Sequence, residues 1–322
     1  MKAPLSKWIS IILPLLLGVS LIIYQYYQFT SAQLLEMKGY FKSADYFYIT
    51  LSLIIASFGF LSRAYRWKFA INHLGYNSRF ANNLMAVCIA YFINLTIPRS
   101  GEFSRALVLK KYEAVPFDKA FGTIVAERIV DFIIFMMFAA AAFIFQFTII
   151  KEFLVSTLPL EKLILLAIGG FLFMIIAVLI WLYSKMRIIT KLKEKIAGLQ
   201  EGILSVFQMK QRWPFIFHSI FIWFTYVAMF YVSIFALPET SNIGIGAVIT
   251  AFVFGSLAIG FTNSGFGAFP LLIAQILLLY SIPETVGTAF GWLIWISQTL
   301  LTVFLGAVSL IMLPILNKKQ II

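Results

Sequence analysis

The sequence predicts an all-α, polytopic integral membrane protein, with about six full transmembrane helices plus two re-entrant helical hairpins in an inverted repeat. Three observations carry that expectation. Of 322 residues, 61% are hydrophobic and only 12% charged, with a mean hydropathy of +0.95, whereas soluble domains carry about 25% charged residues. Apolar runs recur at the length that crosses a hydrocarbon core, about 20 residues rising about 1.5 Å each. Basic residues collect on alternate loops. A soluble enzyme is excluded by the apolar content, and a disulfide scaffold by the single cysteine, Cys88.

Lys2 and Lys7 precede an apolar run from Trp8 to about Ile23, which ends in Tyr24-Gln25-Tyr26-Tyr27. These residues are too bulky for a small-residue cleavage site, so the run is expected to stay as a first helix. The spanning candidates are Trp8–Tyr27, Tyr46–Leu61, Asp118–Ile150, Leu160–Tyr183, Pro214–Leu237 and Glu284–Leu316. The second is marginal in length unless it continues toward Trp67. Between the fourth and fifth lies a linker, Lys185–Arg212, with Met186, Ile189, Leu192, Ile196 and Leu199 at three- and four-residue steps. That period predicts an amphipathic helix lying in the cytoplasmic interface. The short Gln33–Lys42 segment reads as an outer connector.

Two apolar stretches are broken by helix-ending residues. Phe80–Val115 is interrupted by Pro98-Arg99-Ser100-Gly101-Glu102, and Ile243–Ile282 by Thr262-Asn263-Ser264-Gly265-Phe266-Gly267. The arm from Glu102 to Leu109 extends roughly 12 Å and cannot cross a bilayer. Both stretches are therefore expected as re-entrant hairpins, because irregular backbone at that depth must be buried in protein or line a wet cavity. Complete spanning pairs are the alternative.

With the N-terminus inside, 18 of the 25 Lys and Arg residues fall on cytoplasmic loops, Arg63, Arg66 and Lys68 among them, and 4 fall outside. This asymmetry puts both termini in the cytoplasm of a cell (inner) membrane protein. It also accounts for the net charge of +12 without nucleic acid, since such residues face anionic headgroups. The chain 1–322 then reads as one domain containing units 46–150 and 214–316, joined through the linker 185–212. The units have similar lengths and opposite orientations, the pattern of inverted-repeat transporters that bind substrate near the midplane.

Three basic residues, Arg99, Arg105 and Arg128, stay within the apolar body, where ionisable groups are costly and mark function. Glu102 and Arg105 are three residues apart, and Glu127 and Asp131 four, so each pair shares a helix face. Both groups lie roughly 14 Å from the cytoplasmic ends of their helices, so they can meet at one height. Their charges cancel: Arg99, Arg105 and Arg128 against Glu102, Glu127 and Asp131. An ion-pair clasp explains such a set. So does an anion site, because the amides of an arm starting at Gly101 favour negative charge and arginine contacts phosphate through two donors. At the second tip, Thr262, Asn263 and Ser264 are the polar candidates, with Gln275 and Gln298 nearby. Catalysis is not expected: two histidines, His73 and His218, supply no zinc set, and no GxSxG occurs. No cofactor or metal is expected.

The run Pro98-Arg99-Ser100-Gly101-Glu102-Phe103-Ser104-Arg105, with Ala120 and then Glu127-Arg128-Ile129-Val130-Asp131, resembles the lysylphosphatidylglycerol synthase transmembrane, flippase-like family. That family includes the flippase half of the bacterial multiple peptide resistance factor. The tip Ser264-Gly265-Phe266-Gly267 matches a second family region more loosely. Relatives commonly place an acidic residue after it, where Ala268-Phe269-Pro270 stands here. No aminoacyl-transferase domain is expected after Ile322, so the resemblance implies movement of a lipid between leaflets rather than its synthesis. The implied partner is a membrane phospholipid or polyprenyl-phosphate lipid. A second copy of the chain or an envelope-building enzyme is a further partner class, and an ion- or proton-coupled small-anion carrier, or a non-transporting membrane scaffold for an envelope-building enzyme, is the alternative function.

Overall fold

The computed structural model describes residues 5–149, scattered positions between 151 and 186, and residues 208–318. The expected Leu160–Tyr183 helix and the amphipathic linker fall largely outside the described residues. Helix α1 spans Leu5–Gln28, α2 Ser31–Ser43, α3 Tyr46–His73, α4 Phe80–Thr96, α5 Gly101–Tyr112 and α6 Phe117–Phe145. Helix α7 spans Arg212–Ser233 and runs into a 3-10 turn at Ile234–Ala236; α8 spans Ile245–Phe261, α9 Ala268–Leu278 and α10 Glu284–Leu316. Among the described residues, α3, α6, α7 with its turn, and α10 are long and apolar enough to cross a bilayer. The protein is an all-α polytopic membrane protein.

Local chemistry sets the boundaries. Thr30 opens α2 through a capping box with Gln33. Asp45 caps α3 by accepting from the Phe47 amide at 2.9 Å. Helix α3 corrects the sequence reading: it passes Leu61 and ends at His73. Arg63 and Arg66 are therefore not loop charges. They continue a buried stripe of Ser52, Ala56, Gly59 and Ala70 at three- and four-residue steps, and carboxylates of α6 meet their charge inside the protein.

The broken stretches form two helical hairpins of one construction. In the first, α4 packs against α5; in the second, α8 packs against α9. Each tip holds a non-glycine residue in the left-handed region, Arg99 (φ 60°) and Ser264 (φ 53°). Each hairpin also ends in one, Ala114 (φ 54°) and Ser281 (φ 62°). A proline follows two residues later, Pro116 and Pro283, and opens the long helix beyond. Glycine is required where the arms converge: a Cβ on Gly101 would lie 2.1 Å from the Ala90 carbonyl oxygen.

The tips touch. Asn263 Nδ2 donates to the Leu95 carbonyl at 2.9 Å, and Ser264 Oγ to that of Asn94 at 3.1 Å. Asn94 Oδ1 in turn accepts from the Gly101 amide at 2.7 Å. Trp295 of α10 and Gly18 of α1 close around the second tip. Long-range packing is crossed: α4 lies against α10, and α8 against α6, while α3 runs along α7. The residue ending each long helix reaches the other hairpin. Asn317 exchanges hydrogen bonds with Asn82, while the Tyr280 hydroxyl lies 3.0 Å from Gln146 Oε1.

Candidate functional site

Helices α3, α5 and α6 converge on a buried cluster of charge. Asp131 of α6 receives Arg63 Nη1 at 2.9 Å and Arg66 through two donors, at 2.5 and 3.1 Å. One turn earlier on the same helix face, Glu127 accepts from Arg105 Nη1 of α5 at 2.7 Å, and Arg66 Nε lies 3.6 Å from its other oxygen. Arg66 and Arg105 are 0% and 3% exposed, and Glu127 1%. At the rim, Arg128 Nη2 donates to Glu102 Oε1 at 2.8 Å. The helix-face argument thus holds for the acids of α6, while Glu102 and Arg105 reach across to α6 rather than to each other.

Neutral groups hold the arginines in place. Arg63 Nη2 donates to the Tyr226 hydroxyl at 3.1 Å, which lies 3.0 Å from that of Tyr91. Ser219 of α7 accepts from Arg66 at 3.2 Å. The guanidinium of Arg105 stacks on the indole of Trp67, 3.8 Å from its centroid. Trp67 is itself fixed by donating Nε1–H to Thr123 Oγ1 at 2.9 Å. A buried indole face beside a guanidinium adds cation–π attraction and keeps the planar fork from rotating.

The structure brings Glu102, Arg105, Glu127, Arg128 and Asp131 together and leaves other candidates apart. Arg99 sits exposed at the tip and forms no ion pair with a described residue. The charge balance expected from the sequence is therefore corrected: Arg63 and Arg66 replace Arg99, and the set carries one positive charge in excess. Gly101 is buried, and its amide is taken by Asn94 rather than left for an anion. Thr262 donates to the Ala258 carbonyl of its own helix at 2.6 Å. Asn263 and Ser264 serve the contact between tips, and none of the three bonds to an arginine of the cluster. Gln275 is engaged by Glu284 at 2.8 Å. Sequence reasoning missed Arg63, Arg66, Trp67, Tyr91 and Tyr226. The stripe through Ala56, Gly59, Arg63, Arg66 and Ala70 was the available signal for the two arginines.

The lysylphosphatidylglycerol synthase transmembrane-region family matches residues 11–306, a span that contains every member of this cluster. The chain belongs to that family. It is 27% identical over 301 residues to a UPF0104 membrane protein of Methanocaldococcus jannaschii, covering 83% of this chain and 84% of the relative. A UPF0104 membrane protein of Pyrococcus horikoshii is 29% identical over 129 residues, 39% of this chain and 38% of its own. No solved structure matches the chain.

Proposed function

We propose that this family member moves a phosphate-bearing lipid, of phospholipid or polyprenyl-phosphate type, between the leaflets of a cell membrane without any chemical step. The observation that carries the reading is the arginine–carboxylate cluster buried among α3, α5 and α6. In a membrane such a set is retained at a large desolvation cost, and its arginines have the shape that contacts a phosphate. The two hairpins support a moving device. We read them as re-entrant from opposite faces, with both termini cytoplasmic, and the units 46–150 and 214–316 as an inverted repeat. Their matching tips, matching exits and crossed packing support this. Two such units rocking about a midplane site give alternating access.

Purified protein in liposomes carrying fluorescent anionic, zwitterionic and polyprenyl-phosphate lipids tests the reading by leaflet-specific quenching. Protein-dependent crossing of a phosphate-bearing lipid is expected. Its absence from well-folded samples, with an imposed pH gradient also tried, overturns transport. Topology is tested with single cysteines in a Cys88→Ala background: strong labelling of Ser100→Cys from outside replaces the first hairpin with a spanning pair.

A further inference from the structure

We infer that the site selects a singly charged phosphodiester headgroup over a doubly charged phosphomonoester. The inference rests on the transport reading and narrows its substrate. It comes from two observations, one of charge and one of geometry.

The fully buried part of the cluster contains Arg63, Arg66 and Arg105 against Glu127 and Asp131. Its formal charge is one unit positive. Adding the half-exposed Arg128 and its partner Glu102 leaves that excess unchanged, since they are a neutral pair. Charge left uncompensated in a low-dielectric interior is costly, so the ligand that relieves most strain on the site is the one that brings the total to zero. A monoanion does this with every existing ion pair left in place. A dianion overshoots unless a carboxylate is released, and a zwitterion cancels nothing.

Geometry points to the group that would hold that monoanion. Arg105 spends Nη1 on Glu127. Its Nε and Nη2 make no hydrogen bond although the residue is 3% exposed. These two atoms form one edge of the guanidinium and present parallel N–H donors, the arrangement that fits two oxygens of one oxyanion. The indole of Trp67 covers the flat face, so the edge is fixed in direction. Two non-bridging oxygens of a phosphodiester carry one charge over the two atoms this edge addresses.

The test is binding of short-chain lipids to the full-length protein in nonionic detergent, measured by titration calorimetry at pH 8. There a phosphomonoester, with a second pKa of about 6, is a dianion. The probes are a phosphatidylglycerol, a phosphatidic acid, a polyprenyl monophosphate, a phosphatidylcholine and the free diester glycerophosphoglycerol. The phosphatidylglycerol is expected to bind about tenfold or more tightly than either monoester and the zwitterion. Glu102→Gln at the rim raises the total charge to two and is expected to shift the diester-to-monoester ratio about tenfold toward the monoester. Arg105→Lys keeps the charge and loses the edge, so diester affinity falls while the ratio persists. Monoesters binding as tightly as the diester, or no lipid binding, overturns the inference. Diester preference without crossing in liposomes upholds the inference while the transport reading falls. Crossing with no charge preference does the reverse. Equal binding of glycerophosphoglycerol assigns the site to a soluble diester and overturns the lipid as its source.

Discussion

The two hairpins share a backbone plan and bury opposite chemistry. Each has a left-handed tip residue, a left-handed exit and a proline opening the next helix. The second arm of the first hairpin carries Glu102 and Arg105 into contact with α6. That of the second, Ala268–Leu278, is apolar apart from Gln275. The second tip meets its neighbour through neutral side chains on backbone carbonyls. A charged arm requires countercharges from other helices, so the first hairpin is tied to α6 by ion pairs and to α3 by the stacking of Arg105 on Trp67. The second is held by shape and single hydrogen bonds. One frame thus yields a side anchored by ion pairs and a side held by apolar packing and neutral hydrogen bonds.

The difference is broken most severely at Asp131, where one carboxylate answers two arginines. Asp131→Asn is expected to destabilise the protein by about 3–5 kcal/mol, because it leaves buried charge uncompensated; denaturation in detergent measures it. A loss no larger than that of an ordinary surface change would mean the cluster is wet. Next is the fork of Arg105: Arg105→Lys should slow lipid crossing about tenfold, worth about 1.4 kcal/mol in the barrier, with the fold retained. Leaflet quenching alongside a melting curve separates these.

The neutral side is sharpened by two milder changes. Gly267 has φ 70°, and a Cβ there would lie 2.4 Å from the Gly18 carbonyl oxygen. Gly267→Ala should therefore cost about 1–3 kcal/mol by strain and displacement of α1, read as a lower melting temperature. Asn263→Ala removes the bond to Leu95 and should cost about 1 kcal/mol, in clear contrast to Asp131→Asn. The smallest effect lies outside the spanning helices, on α2. The hydrogen bond from Tyr40 to Glu36 at 2.6 Å, with the adjacent negative charge, pushes the phenol up to about 12. The folded state holds that proton more tightly than the unfolded chain. The contact is therefore fully present below pH of about 10 and lost as pH rises toward about 12. Spectrophotometric titration of wild type against Glu36→Gln should show one tyrosine ionising earlier in the variant.

The hairpins were legible in the sequence because Pro98, Gly101, Gly265 and Gly267 interrupt apolar runs, and interruption is a local property. Glu127 and Asp131 stood out because acids within an apolar run are costly and demand a partner, whether that partner is structural or functional. Arg63 and Arg66 did not, since basic residues after an apolar run look the same whether the helix ends in water or continues inward. What separates the cases is a partner, and Asp131 lies 68 and 65 residues away. Arg99 failed in the opposite direction: it shares a motif with Arg105, yet its left-handed backbone at the tip leaves it exposed. The exit motifs Ala114-Val115-Pro116 and Ser281-Ile282-Pro283 were present in the sequence but gain meaning only once their backbones are seen to match.

The crossed ends have a consequence for biogenesis. Asn82 near the start of α4 finds Asn317 at a separation of 235 residues, and Gln146 finds Tyr280 at 134. A ribosome delivering this chain releases the first hairpin long before the helix that flanks it exists. Until then, the side of α4 that α10 covers is without that partner. The first hairpin therefore reaches its final packing only after α10 has been made, however early its own two arms are inserted.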